Sequence, residues 1–142
     1  MALKLLGKTG EFPPLERPLL LTAVQAGFPS PADDYVARGL DLNEHLVRNP
    51  DATFYWRVAG DSMRDAGIGD GDILVVDRAR EPRPGSIVVA FVDGEYTCKR
   101  FEVRKGQAFL APANPDYPAI PVTPERDVEV WGVVAHCIKS FP

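Results

Sequence analysis

Histidine and cysteine are scarce in this chain: His45 and His136, and Cys98 and Cys137, are all it holds in 142 residues. With so few histidines a Ser-His-Asp triad has few ways to be built, and neither histidine lies in a recognisable catalytic motif. Two cysteines give neither the density of a disulfide scaffold nor zinc-ligand spacing, which points to reduced thiols in a cytoplasmic protein. His136 and Cys137 are adjacent and no third ligand has usable spacing, so a metal enzyme is disfavoured. Positive charge is short as well. Twenty acidic residues against 16 basic ones leave a formal net charge of -4, which argues against a large phosphate-neutralising surface and makes any link to nucleic acid indirect. The glycines match neither the P-loop nor the dinucleotide fingerprint, and no cofactor is implied.

Long apolar runs are also missing. Leu19 to Ala26 could be mistaken for part of a signal peptide, but Glu11, Pro13, Pro14, Glu16, Arg17 and Pro18 interrupt it, leaving too short a core for translocation, and no later stretch is long enough to span a bilayer. What is present is a 45% hydrophobic content, enough to build the core of one soluble domain.

Two compositional parts follow. Residues 1–31 carry Pro13, Pro14, Pro18, Pro29 and Pro31 and read as an extended arm, since proline fixes φ and removes an amide donor; Leu19 to Val24 could dock against a sheet. Residues 32–142 read as the domain proper. Between Asp33 and Asn49 the spacing of Tyr35, Val36, Leu40, Leu42, Leu46 and Val47 predicts one short helix, with Asp41 or Asn43 as N-cap and Asn49-Pro50 as its stop. From Thr53 onward the pattern turns to strands: Thr53–Val58, Ile73–Asp77, Ser86–Val92, Glu95–Val103, Gln107–Ala111 and Val128–Ser140, broken by turns such as Gly69-Asp70-Gly71-Asp72 and Asp93-Gly94. The fold class expected is mostly β and antiparallel.

The chemistry centres on Ser62 and Lys99. Ser62 sits in Gly60-Asp61-Ser62-Met63, just past a strand, where a small residue lets the backbone bend and nearby amides could stabilise an oxyanion. Lys99 lies in the run from Glu95 to Val103, where period two places Thr97, Lys99, Phe101 and Val103 on one face. The neighbouring run Ile87–Val92 is apolar on both faces, so a hairpin through Asp93-Gly94 would bury that lysine. Loss of hydration disfavours the ammonium and lowers the pKa, so the amine can take a proton from a serine. Each residue alone has an ordinary explanation: a serine after Gly-Asp is commonly a turn residue, and a strand lysine commonly carries its ammonium out to solvent. Asp61 could tune the site or merely cap the turn. Asp70 and Asp72 read as turn-shaping rather than calcium-binding, and Trp56 and Trp131 as core or dimer-surface residues.

Taken together, Ala26-Gly27-Phe28-Pro29-Ser30-Pro31-Ala32-Asp33-Asp34-Tyr35-Val36, Asp41-Leu42-Asn43, Gly60-Asp61-Ser62-Met63, Gly67-Ile68-Gly69-Asp70-Gly71-Asp72, Asp93-Gly94-Glu95-Tyr96-Thr97-Cys98-Lys99 and Trp131-Gly132-Val133-Val134 resemble the Ser-Lys self-cleaving peptidases that include the UmuD-type SOS mutagenesis proteins and the LexA repressor. The resemblance implies a strongly bent, barrel-like antiparallel sheet with an extended cleavable arm. It further implies Ser62 as nucleophile, Lys99 as general base and Ala26–Gly27 as the bond cut. The UmuD-type proteins have cysteine before the scissile glycine, and Ala26 is more like LexA. By the same resemblance, cleavage is promoted by a RecA filament on single-stranded DNA, and the shortened homodimer works with a UmuC-like error-prone polymerase subunit in translesion synthesis. The arm is too short and proline-rich for a helix-turn-helix, which separates the chain from LexA-type repressors. The competing reading is a non-enzymatic β-rich dimeric module that binds polymerase or RecA. A signal-peptidase-type enzyme shares the chemistry but needs a membrane anchor.

Overall fold

The computed structural model describes residues 2–9, 13–20 and 37–142. It is mostly β. The strands are β1 (Ala2–Lys8), β2 (Glu16–Leu20), β3 (Ala37–Asp41), β4 (Thr53–Ala59), β5 (Ile73–Asp77), β6 (Ile87–Val92), β7 (Glu95–Arg104), β8 (Gln107–Ala111), β9 (Ile120–Pro121) and β10 (Val128–Ile138), with one short helix, α1 (Leu42–Leu46). Eight of them form one antiparallel sheet in the order β1-β4-β5-β10-β6-β7-β8-β9, and β2 pairs with β3 apart from it. The sheet curls far enough to bring β1 back against β7. Among the described residues no helix is long and apolar enough to cross a membrane.

The six strands expected from Thr53 onward are found to within two residues at each end, and the two-residue β9 is additional. Asp93 (φ 48°) and Gly94 (φ 91°) both occupy the left-handed region, the backbone of a two-residue hairpin turn whose twist matches the flanking strands. That turn sets the β6–β7 register and places Val88 opposite Lys99. β10 is the central strand, pairing β5 on one side and β6 on the other. It can run so close because residue 132 has no side chain: a Cβ on Gly132 would lie 2.8 Å from Val76 Cγ1, and the ladder bulges there.

The one short helix begins at an expected cap and ends before Asn49-Pro50, the expected stop. Asp41 is its N-cap, the carboxylate accepting the Asn43 N–H at 3.0 Å, but Ala37–Asp41 is strand, because these residues find ladder partners in Glu16–Leu20. Asp33 to Val36 lie outside the described residues. The proline-rich leading segment contributes two strands. β1 pairs with the edge of β4, Ala2 opposite Ala59 through Lys8 opposite Phe54, and Leu3 packs on the core beside Trp56 and Val58.

The core has two parts, one on each side of the β6–β7 ribbon. Trp56, Val58, Met63, Ile68, Leu74, Val76, Val89 and Cys98 form the first; Val88, Ala90, Leu110 and Val133 form the second, with Phe101 packed against it. Trp131 stands edge-on to Trp56 at 5.2 Å between ring centroids, and the Arg78 guanidinium lies 4.5 Å over its ring. Cys98 is buried and Cys137 exposed, both are free, and burial is the leading reason their thiols are pushed up, to about 12 and about 11. Held as thiols, neither is a nucleophile at neutral pH.

Candidate active site

β4 ends at Ala59, and Gly60 turns the chain out of the sheet with φ 99°, a conformation that disfavours any side chain. Two anchors hold the turn in place: the Gly60 N–H donates to Asp70 Oδ1 at 3.0 Å, and Met63 is wholly buried in the first core. Asp72 accepts the Gly69 N–H at 2.8 Å, so both acidic residues of the Gly69–Asp72 turn use their carboxylates to shape the backbone around Ser62. Ser62 itself has no exposed surface.

Lys99 reaches this turn from β7, with its Nζ 3.3 Å from Ser62 Oγ, 3.1 Å from Thr97 Oγ1 and 3.3 Å from the Cys98 carbonyl oxygen. The strand's alternation sets Thr97 and Lys99 on one face, and packing on both sides of the ribbon leaves Lys99 6% exposed. Among the described residues no carboxylate pairs with it. Burial therefore dominates and pushes the Lys99 pKa below the ordinary lysine value, the Cys98 thiol opposing weakly. A neutral amine has two N–H donors and one lone pair. The Cys98 carbonyl can only accept, and with Thr97 Oγ1 taking the second hydrogen the lone pair is left for the Ser62 O–H. The pair can thus move a proton from hydroxyl to amine without a histidine. The two histidines meet each other instead, ring centroids 6.0 Å apart.

A cleft of about 350 Å³ opens beside the amine, lined by Val92, Tyr96, Thr97, Lys99, Tyr117 and Ile120 among others. Asp93 and Glu95 line it too, so its walls are of mixed polarity.

The backbone N–H groups of Ser62 and Met63 donate to no described residue, while the Asp61 carbonyl is engaged by the Arg64 N–H at 3.1 Å and by Asn114 Nδ2 at 2.9 Å. Tyr117 OH donates to Asp61 Oδ1 at 2.9 Å, and the Asp61 carboxylate in turn holds the Tyr117 phenol above its ordinary pKa. Neither Asn114 nor Tyr117 stands out in the sequence, where Asn114-Pro115-Asp116 signals only a turn. Ala26 and Gly27, the bond named from the resemblance, and Phe28 beside it lie outside the described residues.

The chain matches the Peptidase S24-like family over residues 18–135. It belongs to that family. It is 46% identical over 126 residues to Protein MucA of Salmonella typhimurium, covering 88% of this chain and 86% of the relative. With Protein ImpA of Shigella flexneri it shares 47% over 122 residues, 86% of this chain and 83% of the relative. The LexA repressor of Paracidovorax citrulli is 40% identical over 122 residues, which is 85% of this chain but 54% of that repressor. The chain is therefore an S24 peptidase homologue of the UmuD-like kind, similar also to about half the length of a LexA repressor.

Proposed function

We propose that Ser62 and Lys99 are the catalytic dyad of an autoproteolytic serine peptidase that cuts its own chain between Ala26 and Gly27. The observation that carries the proposal is the buried contact of Lys99 Nζ with Ser62 Oγ at 3.3 Å, where no carboxylate among the described residues pairs with the amine. Ser62 Oγ attacks the Ala26 carbonyl carbon as Lys99 takes the hydroxyl proton. The resulting oxyanion is held by the Ser62 and Met63 N–H groups, which donate to no described residue. Collapse breaks the bond to the Gly27 nitrogen, which leaves as an amine carrying the proton from Lys99, and an ester joins Ala26 to Ser62. Water, deprotonated by Lys99, hydrolyses that ester, giving a carboxylate at Ala26 and restoring the serine. Small side chains at Ala26 and Gly27 allow close approach to Ser62, and the ten residues from Gly27 to the start of β3 at Ala37 can span up to about 33 Å at about 3.3 Å each.

Membership of the family and the kinship with LexA support the remaining parts of the reading. Cleavage waits for a RecA filament on single-stranded DNA, which binds the competent minority conformation better than the resting one and so raises its population. The product acts as a shortened homodimer with an error-prone DNA polymerase subunit, in the cytoplasm, in SOS translesion synthesis. Because β1 and β2 both precede Ala26 while their partners β4 and β3 follow it, the cut would also free two strands from the chain that holds them. Intact-mass analysis after alkaline incubation tests the peptidase reading: wild type is expected to give fragments ending at Ala26 and beginning at Gly27, and Ser62→Ala to stay whole. A wild-type chain that survives both alkali and activated RecA filaments would favour a non-enzymatic interaction module.

A further inference from the structure

The turn that carries Ser62 is gripped from outside the sheet by the segment after β8. Ala113 accepts the Asp65 N–H at 2.7 Å, Asn114 Nδ2 donates to the Asp61 carbonyl at 2.9 Å, and Tyr117 OH donates to the Asp61 carboxylate at 2.9 Å. Asn114 is 3% exposed, and its own Oδ1 accepts the Asp116 N–H at 3.0 Å, which fixes the amide so that Nδ2 faces Asp61. A buried asparagine with both ends used in this way is an expensive group to place unless both bonds matter.

Asn114 bonds to the carbonyl of the peptide unit whose other end is the Ser62 N–H. In a planar trans peptide those two groups point in opposite directions, so pinning the carbonyl toward Asn114 aims the N–H away from it. That N–H, and the next at Met63, meet no described acceptor. We infer that Asn114 is a positioning residue: it orients the Asp61–Ser62 peptide so that the Ser62 N–H is preset as an oxyanion donor, with Tyr117 as a weaker second anchor on Asp61. The inference rests on the Ser62–Lys99 peptidase reading and adds a residue that neither the dyad nor its neighbours in sequence supply. A donor preset in this way spends nothing on reorganisation as the oxyanion forms, and a misplaced one weakens catalysis without touching the base.

The test compares self-cleavage of full-length wild type, Asn114→Ala, Asn114→Asp and Tyr117→Phe across alkaline pH by intact mass, with thermal melts alongside. Asn114→Ala is expected to cleave about 10²-fold slower at the alkaline plateau, with the inflection pH of wild type, since all three contacts of Lys99 remain. Asn114→Asp keeps the acceptor for the Asp116 N–H but has no hydrogen to donate to Asp61 and sets a buried carboxylate against that carbonyl, so it is expected to be equally slow and to melt below wild type. Should Asn114→Ala fail to fold, Asn114→Asp carries the test alone. Tyr117→Phe is expected to slow cleavage only about threefold. A wild-type rate in Asn114→Asp would show that the side chain only builds its own turn and would overturn the inference, as would an inflection moved in Asn114→Ala. An uncut wild type would bring down the peptidase reading first, an outcome distinct from a cut wild type with an equally fast Asn114→Asp.

Discussion

Two lysines in this molecule sit in opposite electrostatic situations. Lys139, just past the end of β10, pairs with the Asp72 carboxylate, which also accepts from the Gly69 N–H and faces the Cys137 thiol. Burial works to raise the Asp72 pKa, yet Gly69, Lys139 and Cys137 together outweigh it and hold the carboxyl below its ordinary value; the bond to Asp72 raises Lys139. Lys99 is buried among a hydroxyl pair and a carbonyl with no acid among the described residues, and its pKa falls. A lysine given a carboxylate becomes a structural cation; a lysine given only dipoles and a serine becomes a base.

The comparison is broken most severely by removing the chemistry. Ser62→Ala and Lys99→Ala are each expected to slow self-cleavage by about 10³-fold or more, while Lys139→Ala leaves the rate within about twofold; intact-mass time courses decide. A Lys139→Ala chain that also fails to cleave while remaining folded would mean that the two lysines are not separable.

Next comes pH. The cleavage rate should rise as Lys99 loses its proton and level off, with an inflection below the ordinary lysine value of 10.5. Thr97→Val, which deletes one of the acceptors that orient the amine, is expected to lower the plateau about tenfold. A Thr97→Val plateau equal to wild type would remove Thr97 from the account.

Stability gives a smaller effect. Lys99→Met replaces a buried amine with an apolar chain of similar length, and chemical denaturation at pH 7 should show it more stable than wild type by about 1–3 kcal/mol. The sign follows from linkage: between the lowered folded pKa and 10.5 the unfolded chain binds a proton that the folded chain does not, so wild type gains stability as pH rises through that window and the advantage of Lys99→Met shrinks. An advantage constant with pH would mean that Lys99 is not depressed.

Smallest is the paired lysine. Lys139→Ala is expected to lower the melting temperature by about 1–3 °C at pH 7. The Asp72 contribution is present above its unfolded value of 3.8 and is lost as pH falls through its lower folded value, so the variant and wild type should converge in strong acid.

Much of this was readable along the chain. Alternation around Lys99 and the Asp93-Gly94 turn were enough to place the lysine on the buried face of a hairpin, because both signals are local. The strand at residues 37–41 was hidden because it takes its conformation from Glu16–Leu20, a pairing that no local window contains. Leu3 on the core and the β1 edge strand were hidden by the same non-locality. Within the site, Ser62 meets Lys99 across 37 residues and Asn114 reaches Asp61 across 53, separations that no local pattern pairs. That no described carboxylate pairs with Lys99, the feature that makes it a base, is a property of its packed surroundings rather than of any local pattern.

The most direct test of the central claim is a side-chain NMR titration of Lys99 and Lys139 in the same sample, using Ser62→Ala so that the chain stays whole. Lys99 is predicted to titrate below 10.5 and Lys139 above it; a Lys99 midpoint at or above the ordinary value would contradict the assignment of this lysine as the base.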